Sequence, residues 1–229
     1  SKKLLNSIGY TTVTVSGDTR FDRVENQLKI DNTLNFIAEF KNNQLCVVAG
    51  SSWPEDDALL VQYINNCELG TKFILAPHTI DSTKLNRLEK QLQKPTARYS
   101  NYKNEALETK TVLIIDTIGL LSKIYSYADI AYIGGGMGSS GLHNTLEAAT
   151  FGVPIIIGKN YQKFPEAKAL RAKGGLFSVD SSVALQSLLD RLLKEPQRRI
   201  ELGQKNKAYI TANKGATVVI MSKLKENYA

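Results

Sequence analysis

Residues 133–148 read IGGGMGSSGLHNTLEA, and the rest of the chain is best understood from this stretch outward. An apolar run ends in three consecutive glycines, Gly134, Gly135 and Gly136. Glycine reaches dihedrals closed to other residues and lets another group approach the main chain closely. A helix is expected to follow from about Leu142 or His143, over Leu142–Phe151. Its free amides and positive dipole end would complete an anion site with Met137, Gly138 and Ser139. Asn144 and Glu147 are three apart and would share one helix face. A carboxylate there can accept two hydrogen bonds from a ribose diol. A helix-capping role is the alternative for Glu147. The glycine spacing is not the strict dinucleotide fingerprint. The next apolar run, VPIIIG, leads into Lys159 rather than an acid, which argues against a nicotinamide cofactor.

On either side, short apolar runs alternate with helical patterns. Strands are expected at Thr12–Gly17, Leu45–Ser52, Lys72–His78, Thr111–Asp116, Ile130–Gly135, Val153–Gly158 and Leu176–Asp180. Most are apolar throughout rather than alternating, as in parallel strands covered on both faces. Helices are expected at Glu55–Asn65, Ser82–Leu92, Leu120–Ala128 and Glu166–Lys173, with caps in Asp81-Ser82 and, before VALQSLLDRLL, in Asp180-Ser181-Ser182. After Pro196 the pattern is helical to the end, so residues 197–229 should pack on the domain. Strand alternating with helix implies right-handed crossovers: an α/β, Rossmann-like, doubly wound parallel sheet spanning residues 1–229 as one domain.

Ligands of such sheets bind beyond the carboxyl ends of the strands, so the loops there carry the chemistry. SGDTRFDR supplies Arg20, suited to gripping a carboxylate or phosphate in two places, or else simply solvated. AGSSWPEDD supplies Ser51 and Ser52, which would hold phosphate or sugar, cap the helix that starts near Pro54, or both. APHTID places Pro77 and His78 directly after a strand, in position to touch a ligand. No nucleophile elbow, paired-histidine zinc helix or Walker lysine is present, and two histidines cannot build a histidine-rich metal site. No catalytic residue and no metal ligand is therefore expected.

Composition narrows the partner. Of the 229 residues 42% are hydrophobic and 22% charged, as in an ordinary globular domain. The formal net charge of +7 favours an anionic partner. The basic residues are dispersed rather than gathered in a stripe, which weighs against nucleic acid. The two cysteines, Cys46 and Cys67, lack metal-type spacing and read as buried or incidental thiols.

Taken together, SGDTRFDRV, AGSSWPEDD, APHTID, DTIGLLSKIYSYADIAYIGGGMGSSGLHNTLEA and GVPIIIGKNYQKFPEA resemble the C-terminal half of 3-deoxy-D-manno-octulosonic acid (Kdo) transferases. The resemblance runs from about Gly9 and is most specific from Asp116 to Ala167. It implies a glycosyltransferase of the two-domain GT-B architecture, whose C-terminal domain holds CMP-Kdo as donor with no further cofactor. It also implies an N-terminal domain, absent from this chain, that binds the lipid A precursor and supplies the catalytic base. The enzyme would sit peripherally on the cytoplasmic face of the bacterial inner membrane, at an anionic lipid surface. Many members carry Pro-Arg-His where this chain has Pro77-His78, so His78 would have to stand in for an arginine. Another GT-B nucleotide-sugar enzyme, a UDP-GlcNAc transferase or epimerase, is the alternative.

Overall fold

The computed structural model describes residues 1–228. In chain order its elements are α1 (Lys2–Ser7), α2 (Thr19–Asn26), α3 (Asn35–Lys41), β1 (Cys46–Ser52), α4 (Pro54–Asn66), β2 (Lys72–Pro77), α5 (Ser82–Gln91), β3 (Thr96–Arg98) and β4 (Val112–Ile114). There follow α6 (Leu121–Ile124), β5 (Ile130–Ile133), α7 (Leu146–Ala149), β6 (Ile155–Ile157), α8 (Pro165–Ala172), β7 (Leu176–Ser178), α9 (Ser182–Lys194), α10 (Pro196–Asn213) and α11 (Ala216–Tyr228). The seven strands form one sheet in the order β3-β4-β2-β1-β5-β6-β7, parallel throughout.

The strands read as uninterrupted apolar runs because both faces are covered. Along β1, Cys46 and Val48 enter the core beneath α2, α3, α7, α8 and α10, whereas Val47 and Ala49 enter the core beneath α4, α5 and α9. Along β5 the same alternation sends Ala131 and Ile133 one way and Ile130 and Tyr132 the other. Cys46 is fully buried, which pushes its thiol up to about 12 and leaves it inert.

Two expectations change, and one strand joins the sheet that was not expected. Thr12–Gly17 is not a strand: it forms no regular element, and Thr12, Thr14 and Val15 are exposed. Its alternating Thr and Val fit a pleated, half-buried surface, but the sheet edges are already held by β3 and β7. Strand β3, between Pro95 and Tyr99, is too short to show a period. The expected helix over Leu142–Phe151 shrinks to α7, four residues long. Gly141 holds a φ of +97°, and the Asn144 side chain accepts from the Leu146 amide at 3.1 Å, so the chain stays in a turn until Thr145.

Helix α10 is pinned across the ends of β6 and β7. The buried Asn206 amide donates to the carbonyls of Val153 and Gly175 at 2.7 and 2.8 Å. Among the described residues, no helix is long and apolar enough to cross a membrane.

Candidate functional site

After β1 the chain moves outward on one side to β2 and on to the edge strand β3, then back to β4, which lies between them. It then returns to β5 on the other side. The crevice beyond the carboxyl ends of β1 and β5 is therefore the switch point where doubly wound sheets hold ligands. Two loops meet there, Ser51–Trp53 after β1 and Gly134–Gly141 after β5.

They meet without space for side chains. A Cβ on Gly134 would fall on the Ser51 carbonyl, one on Gly135 on the Gly141 carbonyl, and one on Gly136 would lie 2.9 Å from the Gly158 nitrogen. Gly135 also needs a φ of +88°. These three glycines are buried, and a side chain on any of them would meet the protein's own main chain. Ser51 answers with a left-handed φ of +54° at an irregularity in the β1–β2 register. Asp56, wholly buried in the first turn of α4, ties the loops together. Its carboxylate accepts from the Tyr132 hydroxyl (2.7 Å), the Gly135 amide (2.8 Å) and the Trp53 amide (3.0 Å). The Asp56 carboxylate, not Ser51 or Ser52, therefore caps the start of α4. The Ser52 hydroxyl is buried without a partner.

The open part of the turn is Met137–Gly141. Among the described residues, no acceptor engages the amides from Gly136 to Gly141. The expected helix dipole is absent, since α7 begins only at Leu146, but a row of unengaged amides is itself a nest for an anion. One group opposes this. The exposed Glu55 carboxylate rests on Gly138, its carbon 2.9 Å from where a Cβ would be.

Both histidines of the chain and its single tryptophan converge on this turn. The Trp53 and His78 rings stack at 4.7 Å, and those of His78 and His143 lie 4.4 Å apart. Trp53 Nε1 donates to His143 Nε2 at 3.0 Å, while the His143 amide donates to the Gly134 carbonyl. Burial, and then the neighbouring His78, depress the His143 pKa below the ordinary imidazole value.

Glu147 stands in α7 with both carboxylate oxygens engaged. Oε1 accepts from the Asn144 side-chain amide (3.0 Å) and Oε2 from the Ser122 hydroxyl (2.9 Å). A diol entering here would replace those partners one for one. Arg20 is differently placed from what its loop suggested. It lies at the start of α2, paired with Asp18 (2.8 Å) and with the nearly buried Glu166 (2.9 Å), and hydrogen bonding to Asp18 and Glu166 raises its pKa. Two carboxylates already answer its charge.

The structure thus gathers Ser51, Ser52, Pro77, His78, the glycine turn, Asn144 and Glu147 around the switch point, and sets Arg20 in an ion-pair network of its own. Sequence reasoning overlooked Asp56, Trp53, His143 and Ser122. The chain's single tryptophan, directly after a strand end, was the one signal available for them. A cavity of about 240 Å³ lies beside the turn, between α4 and α5, rather than over it.

A seven-stranded parallel sheet with its ligand loops at this switch point is the fold of the C-terminal domain of GT-B glycosyltransferases. It matches the C-terminal CMP-Kdo binding domain of WaaA from Acinetobacter baumannii with a TM-score of 0.64 and 18% identity, over 85% of this chain and 99% of that one. WaaG, a glycosyltransferase involved in lipopolysaccharide biosynthesis, matches with a TM-score of 0.51 over 78% of this chain and 47% of that one. In sequence, the chain is related to the 3-deoxy-D-manno-octulosonic acid transferases. It is 30% identical to that of Chlamydophila psittaci over 173 residues, 74% of this chain and 39% of the relative. It is 28% identical to that of Rickettsia bellii over 203 residues, 86% of this chain and 47% of the relative. It is 33% identical to that of Haemophilus influenzae over 120 residues, 52% of this chain and 28% of the relative. The chain thus spans less than half the length of these relatives. No family model matches it.

Proposed function

We propose that this chain is the donor-binding half of a Kdo transferase. It would hold CMP-Kdo while Kdo passes to a lipid A precursor during lipopolysaccharide core assembly. The observation that carries this is the 203-residue similarity to a Kdo transferase, in a chain that presents unengaged amides and a carboxylate at its switch point. The Gly136–Gly141 amides would receive the phosphate and stabilise the charge that builds on it as the glycosidic bond breaks. Glu147 would exchange Ser122 and Asn144 for the ribose hydroxyls. Pro77 and His78 would flank the base, with Ser51 and Ser52 close to the phosphate or sugar. Arg20, already neutralised, would shape the rim through Glu166.

No residue here is assigned as catalytic base. That role and acceptor binding belong to the rest of the protein, and the 229-residue chain alone should be inactive. No metal or further cofactor enters the scheme, so binding should survive a chelator. The +7 charge suits a peripheral protein on the anionic cytoplasmic face of the inner membrane, where each nearby Lys or Arg contributes about 1 kcal/mol.

Calorimetry with CMP and UDP tests the proposal. Preference for CMP supports it; tight UDP binding without CMP binding would point instead to a UDP-GlcNAc transferase or epimerase type of enzyme. Similarity to the curated Kdo transferases disfavours that alternative.

A further inference from the structure

The cavity between α4 and α5 borders the nucleotide crevice at Ser52, Trp53 and Pro77, and the rest of its lining has no part in the scheme above. Its depth holds Ser52, 2% exposed, whose Oγ has no hydrogen-bond partner. Beside it is Asp57, one of whose carboxylate oxygens is also buried and unpartnered. Burial lifts the Asp57 carboxyl to about 6, and Ser52 lies near enough to lower it slightly without forming a well-made bond. Both groups are polar, deep and short of partners, and the carboxylate in particular needs donors. At the mouth, Lys84 and Arg87 project from the exposed side of α5, and among the described residues neither makes an ion pair. The indole of Trp53 and the side chain of Leu88 supply apolar wall.

Each feature restricts the occupant. A volume of about 240 Å³ falls below the roughly 300–1,000 Å³ typical of drug-sized ligands, which leaves out a whole nucleotide. A carboxylate and a hydroxyl in the depth call for a ligand rich in hydroxyl donors. Two free cations at the mouth call for an anionic group on the same molecule. The aromatic wall accepts the C–H face of a ring.

We propose that the α4–α5 cavity is a binding site for a monosaccharide acid, with its hydroxyls on Asp57 and Ser52, its acidic group on Lys84 and Arg87, and its ring against Trp53. The site lies beside the nucleotide crevice and shares with it the wall formed by Ser52, Trp53 and Pro77. It stands whether or not the crevice takes CMP.

Because the chain's one tryptophan lies between this cavity and the crevice, intrinsic fluorescence reports on both, and the Arg87→Ala comparison isolates the cavity. Titrations would use D-glucuronate, D-gluconate and N-acetylneuraminate, with D-glucose as the polyol without a charge and acetate as the charge without a polyol. At least one sugar acid should change the emission saturably, and glucose and acetate should bind about tenfold more weakly or not at all. Arg87→Ala and Asp57→Asn should each weaken the sugar acid about tenfold. CMP affinity, measured in parallel, should stay the same in both variants. Since Asp57→Asn removes a buried charge, circular dichroism should show its fold intact. The proposal is overturned if no sugar acid gives a saturable change, if acetate or glucose matches it, or if Arg87→Ala leaves it unaltered. CMP failing to bind while glucuronate binds would defeat the donor-half reading and leave this site standing.

Discussion

Trp53 donates its indole N–H to Nε2 of His143, 90 residues away in sequence, at 3.0 Å. The bond joins the loop after β1 to the loop after β5 across the switch point, and it leaves the His143 proton on Nδ1. An imidazole that accepts on one nitrogen is held neutral. Burial and the adjacent His78 act in the same direction.

A nuclear magnetic resonance titration should therefore place the His143 midpoint below the ordinary value near 6.5. Trp53→Phe keeps a ring in place but removes the donor, and His78→Gln removes a like charge; both should raise the midpoint. The sign for stability follows. The unfolded imidazole holds its proton more tightly than the folded one, so stability falls as pH drops from about 6.5 towards the folded midpoint. A midpoint at or above the ordinary value would show that the indole bond and the burial do not govern this histidine.

Glu55 should restrain anion binding. Its carboxylate lies over Gly138, next to the unengaged amides. Glu55→Gln ought to tighten CMP or inorganic phosphate by up to about 1 kcal/mol, the scale of a solvent-exposed charge pair near 4 Å. The gain should shrink as salt is added. Calorimetry at two ionic strengths checks it, and weaker binding by the variant would reverse the assigned role.

Glu147→Ala should weaken CMP by about 1–3 kcal/mol through its lost charged hydrogen bonds. The comparison is calorimetric, with circular dichroism confirming the fold. Ser122→Ala, which frees one Glu147 oxygen, should leave CMP binding intact. Unchanged affinity in Glu147→Ala would remove this residue from the site.

Asn206→Ala should lower stability by about 1–3 kcal/mol, because it strands the buried Val153 carbonyl and leaves the Gly175 carbonyl with the Ile155 amide alone. Urea unfolding should show a lower midpoint with an unchanged slope. A shift of only a few tenths of a kcal/mol would mean that water replaces the side chain.

What the sequence revealed and what it hid follow a physical pattern. Cys46–Ser52 and Ile130–Ile133 were legible because strands buried on both faces must be apolar along their whole length. The glycine run was legible as a special turn, but its cause was not. The contact that demands Gly134 comes from Ser51, and no local pattern connects them. Asp56 is, by sequence, one of three consecutive acids in AGSSWPEDD. Only the folding of the β5 loop onto α4, 79 residues on, makes it a buried clamp. The helix expected from Leu142 failed because Gly141 and Asn144 favour turns more strongly than the following residues favour helix. Arg20 was legible as a charge in this loop but its ion-pair partner was not, since Glu166 arrives from 146 residues away.

The interlock of Gly134 with Ser51 also bears on how the crevice comes into being. Neither flank of the sheet can build it alone, because the β1 turn takes shape against a segment that is synthesised some eighty residues afterwards. Affinity for a nucleotide would then be a late acquisition during maturation, absent from any collapsed intermediate whose two flanks have yet to join.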